Sequence, residues 1–162
     1  MTDMGLNERF GHQALTPMLA YTNAAAAIDF YKAAFGASEL TRLNDQDGKV
    51  SHCELVIGEA RIMVADEYPG YNHSPEELGG STVVLNLYVA DADAFVDRAV
   101  GSGAKLLKAV ENQFYGDRAG RIEDLFGYVW IIATHITDVT ADDLQIRYAS
   151  LTQAEATGDA VV

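Results

Sequence analysis

Ala20-Tyr21-Thr22-Asn23-Ala24-Ala25-Ala26-Ala27-Ile28-Asp29-Phe30-Tyr31, running on to Phe35-Gly36-Ala37, has a counterpart later in the chain. The counterpart is Leu87-Tyr88-Val89-Ala90-Asp91-Ala92-Asp93-Ala94-Phe95, running on to Ser102-Gly103-Ala104. At a constant offset of 67 residues, and without a gap, Tyr21 meets Tyr88, Ala27 meets Ala94, Gly36 meets Gly103 and Leu40 meets Leu107. The alanine matches carry little weight. The recurring order does: strand, helix cap, helix, glycine stop, strand.

Each copy obeys the physics of that order. Asn23 and Asp91 suit a helix N-cap, where a side-chain oxygen accepts from unpaired backbone N–H groups. Ile28, Tyr31 and Phe35 fall on one face of a helix over 24–35, and Phe95 and Ala99, flanked by Val96 and Val100, do so in the second copy. Gly36 and Gly103 suit the left-handed residue that ends a helix. Strands are expected at 38–43, 50–57 and 60–66, and again at 105–110, 118–124 and 129–134. Turns fall at Asn44-Asp45-Gln46-Asp47-Gly48, Gly58-Glu59 and Phe126-Gly127. Gly58 and Gly127 stand 69 apart, so a loop has absorbed two residues.

The expected fold is therefore α+β, a single domain over 14–149 made of two βαβββ modules, about 14–66 and 81–135. Residues 1–13 read as an N-terminal extension, and a short helix from Ala141 to about Ala149 precedes a frayed tail at 152–162. Glu67–Gly80, with Tyr68-Pro69-Gly70-Tyr71 and Gly79-Gly80, reads either as a linker or as a flap over a cavity.

Bulk composition narrows the function classes. A hydrophobic content of 49% supports a packed core, and a net charge of -13 makes nucleic acid and anionic membranes poor partners. No apolar run approaches the length of a membrane span, and 1–13 lacks the pattern of a secretory signal. One cysteine, Cys53, excludes an internal disulfide and leaves the cytoplasm as the default compartment.

Several stretches carry a family resemblance. Ala27-Ile28-Asp29-Phe30-Tyr31 with Phe35-Gly36-Ala37 resembles the first helix of glyoxalase, bleomycin-resistance and fosfomycin-resistance proteins. Gln113-Phe114-Tyr115-Gly116-Asp117-Arg118, then Glu123-Asp124, Phe126-Gly127 and Ala133-Thr134-His135, look like the PhnB-like branch of the vicinal-oxygen-chelate superfamily. The resemblance spans about Leu15 to Asp143. It implies paired βαβββ modules curling into a U-shaped cleft, commonly in a homodimer, in a superfamily that holds both metal-dependent enzymes and metal-free drug-sequestering proteins. Carried over, the usual metal-ligand positions fall on Thr16, Ile62 or Met63, Val83 or Val84, and Ile131. None offers the imidazole or carboxylate that a catalytic divalent ion takes, so no metal and no cofactor is expected. A non-standard set drawn from His52, Glu54, Asp66 or Glu67 is the alternative. Relatives often carry proline and histidine around the last hairpin, where this chain has Leu125 and Tyr128, which points to an altered pocket.

Strand alternation supplies the remaining candidates. His52 and Glu54 share the face of their strand opposite Cys53, Leu55 and Ile57, and their counterparts at the offset of 69 are Arg121 and Glu123. They read either as a polar pocket, with His52 or Glu54 moving a proton and Arg121 or Arg118 holding an anion, or as an ordinary salt-linked outer face. Tyr115 and Arg118 sit at a turn, where Arg118 either meets ligand or pins the loop. Asn86 and Tyr88 are expected pocket walls. Trp130 and Cys53 read as core, and His12, His73 and His135 as surface. Two functions follow: a metal-independent binder of a small drug or metabolite, or a lyase or isomerase of a small oxygenated substrate using His52 and Glu54. A homodimer is expected because open sheet edges need covering.

Overall fold

The computed structural model describes residues 15–157. Its elements run β1 Met18–Tyr21, α1 Ala24–Phe35, β2 Ser38–Asn44, β3 Val50–Ile57, β4 Ala60–Asp66, α2 Pro75–Leu78, β5 Val84–Tyr88, α3 Ala92–Gly101, β6 Lys105–Asn112, β7 Asp117–Glu123, β8 Val129–His135 and α4 Ala141–Thr157. Two four-stranded sheets form, in the orders β1-β4-β3-β2 and β5-β8-β7-β6. In each, the first strand pairs parallel to the fourth and the others antiparallel, so the repeat in the sequence is a repeat in topology. The fold is α+β with paired βαβββ modules, as the sequence predicts.

The caps behave as expected. Asn23 Oδ1 accepts from Ala26 N at 3.0 Å, and Asp91 Oδ1 from Ala94 N at 3.0 Å. Gly36 closes α1 with φ 67°, a conformation that costs a residue with a Cβ but not glycine. The second stop differs: Ser102 caps α3, and Gly103 follows it with φ 110°. The last helix also runs past Ala149, because nothing between Ala141 and Thr157 breaks a helix and the next glycine is Gly158. Thus 152–157 is helical rather than tail, while 1–14 and 158–162 lie outside the described residues.

Both sheets turn their helix-bearing faces into one core. Ile28 and Tyr31 of α1 are fully buried, and Tyr31 and Phe35 pack edge-on or tilted against Trp130 of β8 and Phe95 of α3. Burying such side chains contributes about 1.5–3 kcal/mol each. Cys53 lies in this core as a free thiol, its pKa pushed up to about 11 first by burial, which makes it an inert packing residue. Two buried carboxylates tie the elements together. Asp66 accepts from Ala24 N at 2.7 Å and Val50 N at 2.6 Å, joining the start of α1 to β3. Asp124 accepts from Tyr31 Oη at 2.5 Å and Trp130 Nε1 at 2.9 Å, joining the two modules. Asp124 ends β7 one residue earlier than expected, since its side chain also takes Phe126 N and Tyr128 N in the turn.

Candidate functional site

With one face of each sheet in the core, the other face is left open, and most of the sequence-derived candidates stand there. Cross-strand partners share a face. Glu54 pairs with Met63, so Met63 faces outward and Ile62, only 3% exposed, faces the core. On the second sheet one row runs Asn86, Ile131, Arg121, Lys108 across four strands, and another Val84, Val129, Glu123, Lys105. The positions to which the family resemblance carries metal ligands therefore present thioether and hydrocarbon in Met63, Val84 and Ile131, and a hydroxyl in Thr16. Among the described residues no group of three or more His, Cys, Asp or Glu is placed to hold an ion. The alternative donors are engaged: both oxygens of Asp66 take backbone N–H groups, and Glu67 Oε1 accepts from Ser74 N at 2.5 Å.

The candidates do not all meet. Glu54 is held by Arg61 Nη1 at 3.0 Å and lies 3.4 Å from His52 Nε2, a cluster confined to the first sheet. Arg121 and Glu123 stand on the open face of the second sheet, and among the described residues no hydrogen bond or ion pair joins them to His52 or Glu54. Arg118 points to the opposite face from Arg121, where its Nε and Nη2 reach Asp93 at 2.6 and 2.7 Å and Nη1 reaches Asn112. It pins β7 to the first turn of α3, through a partner 25 residues back that the sequence reading did not pair with it. Tyr115 sets its ring edge-on to Phe114, which in turn meets Tyr148 of α4.

Asn86 and Tyr88 line a groove of about 960 Å³ between the modules, together with Phe35, Phe95, Arg98 and His135. Here the sequence reading missed a cluster. Asp117, 4% exposed, accepts from Tyr88 Oη at 2.7 Å through Oδ2 and lies 2.8 Å from His135 Nδ1 through Oδ1. His135 Nε2 lies 2.9 Å from Asp138. Asp117 and His135 are register partners and stand equidistant from Phe126, so the turn at Phe126-Gly127 could have paired them. The Asp117 hydrogen bond, followed by that of Asp138, raises the His135 pKa above 6.5, and the Asp117 bond is also the main influence raising that of Tyr88. A raised histidine pKa contributes stability that is full below 6.5 and is lost as pH rises through the folded value. The His135 imidazole should titrate above 6.5 by NMR and move down toward 6.5 in Asp117→Asn. An unchanged midpoint in that variant would remove Asp117 as the cause.

A second cavity, about 460 Å³, opens where β1 and β5 begin. Its lining includes Leu15, Met18, Val83, Leu85 and Tyr128, with His73, Pro75 and Leu78 from the 67–80 segment and Ser81 and Thr82 just after it. That segment is thus a cavity wall, with α2 capped by Ser74, whose Oγ accepts from Glu77 N at 3.2 Å. Tyr128 donates to Ala20 O at 2.9 Å and accepts from Ala20 N at 3.0 Å, fastening the last hairpin to β1. Of the two positions, Leu125 and Tyr128, where the resemblance implies an altered pocket, Tyr128 lines this cavity.

Comparison with known proteins places the chain. The model of the Glyoxalase/Bleomycin resistance protein/Dioxygenase superfamily matches residues 9–132. The uncharacterized protein Mb0911c of Mycobacterium bovis is 40% identical over 141 residues, covering 85% of this chain and 93% of that one. The crystal structure of TioX from Micromonospora sp. ML1 superposes with a TM-score of 0.62 at 25% identity, covering 76% of this chain and 99% of TioX. The X-ray structure of the Arabidopsis thaliana product At5g48480 gives 0.60 at 31% identity, covering 75% and 98%.

Proposed function

The chain belongs to the Glyoxalase/Bleomycin resistance protein/Dioxygenase superfamily, and from that premise we propose that it binds a small drug or metabolite without the help of a divalent cation. One observation carries the reading: the 460 Å³ cavity is lined mostly by hydrocarbon, with Tyr128, His73, Ser81 and Thr82 as its polar points. Its volume lies within the range of small-molecule sites, which are mostly apolar with a few polar anchors. Three of the four positions to which the resemblance carries metal ligands, Met63, Val84 and Ile131, have the same apolar character, and the fourth, Thr16, offers only a hydroxyl. The lyase or isomerase route through His52 and Glu54 gains no support from geometry, for Glu54 is already held by Arg61 and neither residue lines the cavities described.

The protein acts as a homodimer in the cytoplasm, where a lone buried thiol stays reduced. Support for the dimer comes from edge strands β2 and β6, which expose Leu40, Leu43, Leu106 and Leu107. Among the described residues no helix is long and apolar enough to cross a membrane.

Elemental analysis of the purified protein, with Ni²⁺, Mn²⁺ and Zn²⁺ titrated into wild type and His52→Ala, tests the metal half. Stoichiometric binding lost in the variant would sink it. An uncharged aromatic such as naphthalene should bind the wild type and bind at least about tenfold more weakly to Val83→Glu, which sets a charge at the cavity wall. Equal binding to both would place the ligand elsewhere.

A further inference from the structure

We propose a second binding site, for the carboxylate or phosphoryl group of a small aromatic acid, on the open face of the second sheet at Lys108 and Arg121. These two cations are cross-strand partners on β6 and β7, at a point where the β6 register shifts on either side of Lys108. Like charges placed so oppose one another and destabilise the pairing. Neither forms a hydrogen bond or ion pair among the described residues, although the chain has 24 acidic residues against 11 basic. The nearest carboxylate on the same strand face, Glu123, stands opposite another cation, Lys105, which leaves the Lys108–Arg121 pair uncompensated.

The internal repeat supplies a control. In the first module the position equivalent to Arg121 is His52, whose β2 partner is the apolar Leu43, and the carboxylate two residues on is neutralised by Arg61. Charge is closed locally in one module and left open in the other. An oxyanion between Lys108 and Arg121 would relieve the repulsion, with the guanidinium offering two parallel donors and the ammonium a third. The same row continues to Ile131 and then to exposed Asn86. At about 4.8 Å between strands, Ile131 forms an apolar floor about 5 Å from Arg121, and Asn86 stands about 10 Å away. That spacing suits a ring over Ile131 carrying an acid at one end and a hydroxyl or carbonyl at the other. The net charge of -13 opposes approach at long range, but ionic screening falls to about 8 Å at physiological salt, so the local pair governs binding.

The test titrates the full chain with benzoate and with phenyl phosphate, using benzamide as the uncharged match, by calorimetry and by amide shifts at 108 and 119–123. At least one anion should bind more than tenfold tighter than benzamide, and more weakly as salt rises. Which anion binds tighter tells carboxylate from phosphoryl recognition. Arg121→Gln should reduce anion affinity at least tenfold. Lys108→Glu should abolish it while holding or raising the thermal midpoint, because it converts a repulsive pair into an attractive one. Benzamide matching the anions, no anion binding, or anion binding unchanged in Arg121→Gln would each overturn the proposal. None of these touches the apolar cavity, whose test is the uncharged aromatic and Val83→Glu.

Discussion

Replacing Asp124 with alanine is expected to cost about 3–5 kcal/mol, a large part of the stability of an ordinary domain. The carboxylate accepts four hydrogen bonds at one buried point: from Tyr31 Oη, Trp130 Nε1, Phe126 N and Tyr128 N. Alanine leaves the Trp130 indole N–H, 2% exposed, without an acceptor, and each such orphaned group costs about 1–3 kcal/mol. Tyr31 keeps only its contact with Tyr21 Oη at 2.8 Å. The loss falls where the modules join, because Tyr31 belongs to α1 and Trp130 to β8. Burial is the strongest influence on Asp124 and raises its pKa above 3.8, outweighing the bonds that lower it. A folded pKa above the unfolded one gives stability that is full below 3.8 and is lost as pH rises through the folded value. The gap between wild type and variant should therefore widen as pH falls from 7 toward 4. Urea unfolding at several pH values measures both effects. A penalty under about 1 kcal/mol would mean that Asp124 is not the joint between the modules.

Legibility in the sequence followed the range of the interactions involved. The caps at Asn23 and Asp91, the stop at Gly36 and the strands at 50–57 and 60–66 rest on neighbours within a few residues, and all were readable. Alternation along β3 also held, with Cys53, Leu55 and Ile57 in the core and His52 and Glu54 outside. Alternation gives a face but not what stands opposite it. Arg118 entered the candidates from its place at a turn, and its real partner, Asp93, lies 25 residues back on the helix side. Repeat symmetry suggested that His52, Glu54, Arg121 and Glu123 share a cleft, yet symmetry between modules says nothing of how they pack. The structure joins His52 to Glu54 and Glu54 to Arg61, and gives no direct bond between the pairs of the two modules among the described residues. The Asp117–His135 pair was within reach of hairpin register and was missed because the residues were weighed singly. Tyr128 was noticed only as a departure, since its bonds to Ala20 span 108 residues.

Substituting Gly116 with alanine is the other change expected to have a large effect, about 3–5 kcal/mol. Gly116 has φ +97°, which L side chains rarely adopt, and strain of that kind costs about 1–3 kcal/mol. Space adds the rest. A Cβ there would stand 2.1 Å from the backbone oxygen of Thr137 and 3.0 Å from Val139 Cγ2. The first obstacle cannot swing aside as a side chain would. Ile136 N and Thr137 N both donate to Gly116 O, at 2.9 and 3.0 Å, so moving 136–137 away breaks bonds of about 1 kcal/mol each. Gly36 separates the two contributions: its φ is +67°, nothing lies within 4 Å of an added Cβ, and Gly36→Ala should cost only about 1 kcal/mol. The difference between the variants measures the clash together with the extra strain of φ +97° over +67°. Because Gly116 precedes Asp117 and its carbonyl holds the residue after His135, relaxation of Gly116→Ala should part the Asp117–His135 pair. The His135 midpoint should then fall toward 6.5 in whatever fraction stays folded. Thermal unfolding gives the stability and NMR the midpoint; equal losses in Gly116→Ala and Gly36→Ala, with His135 unmoved, would mean that the turn yields without disturbing the groove beside it.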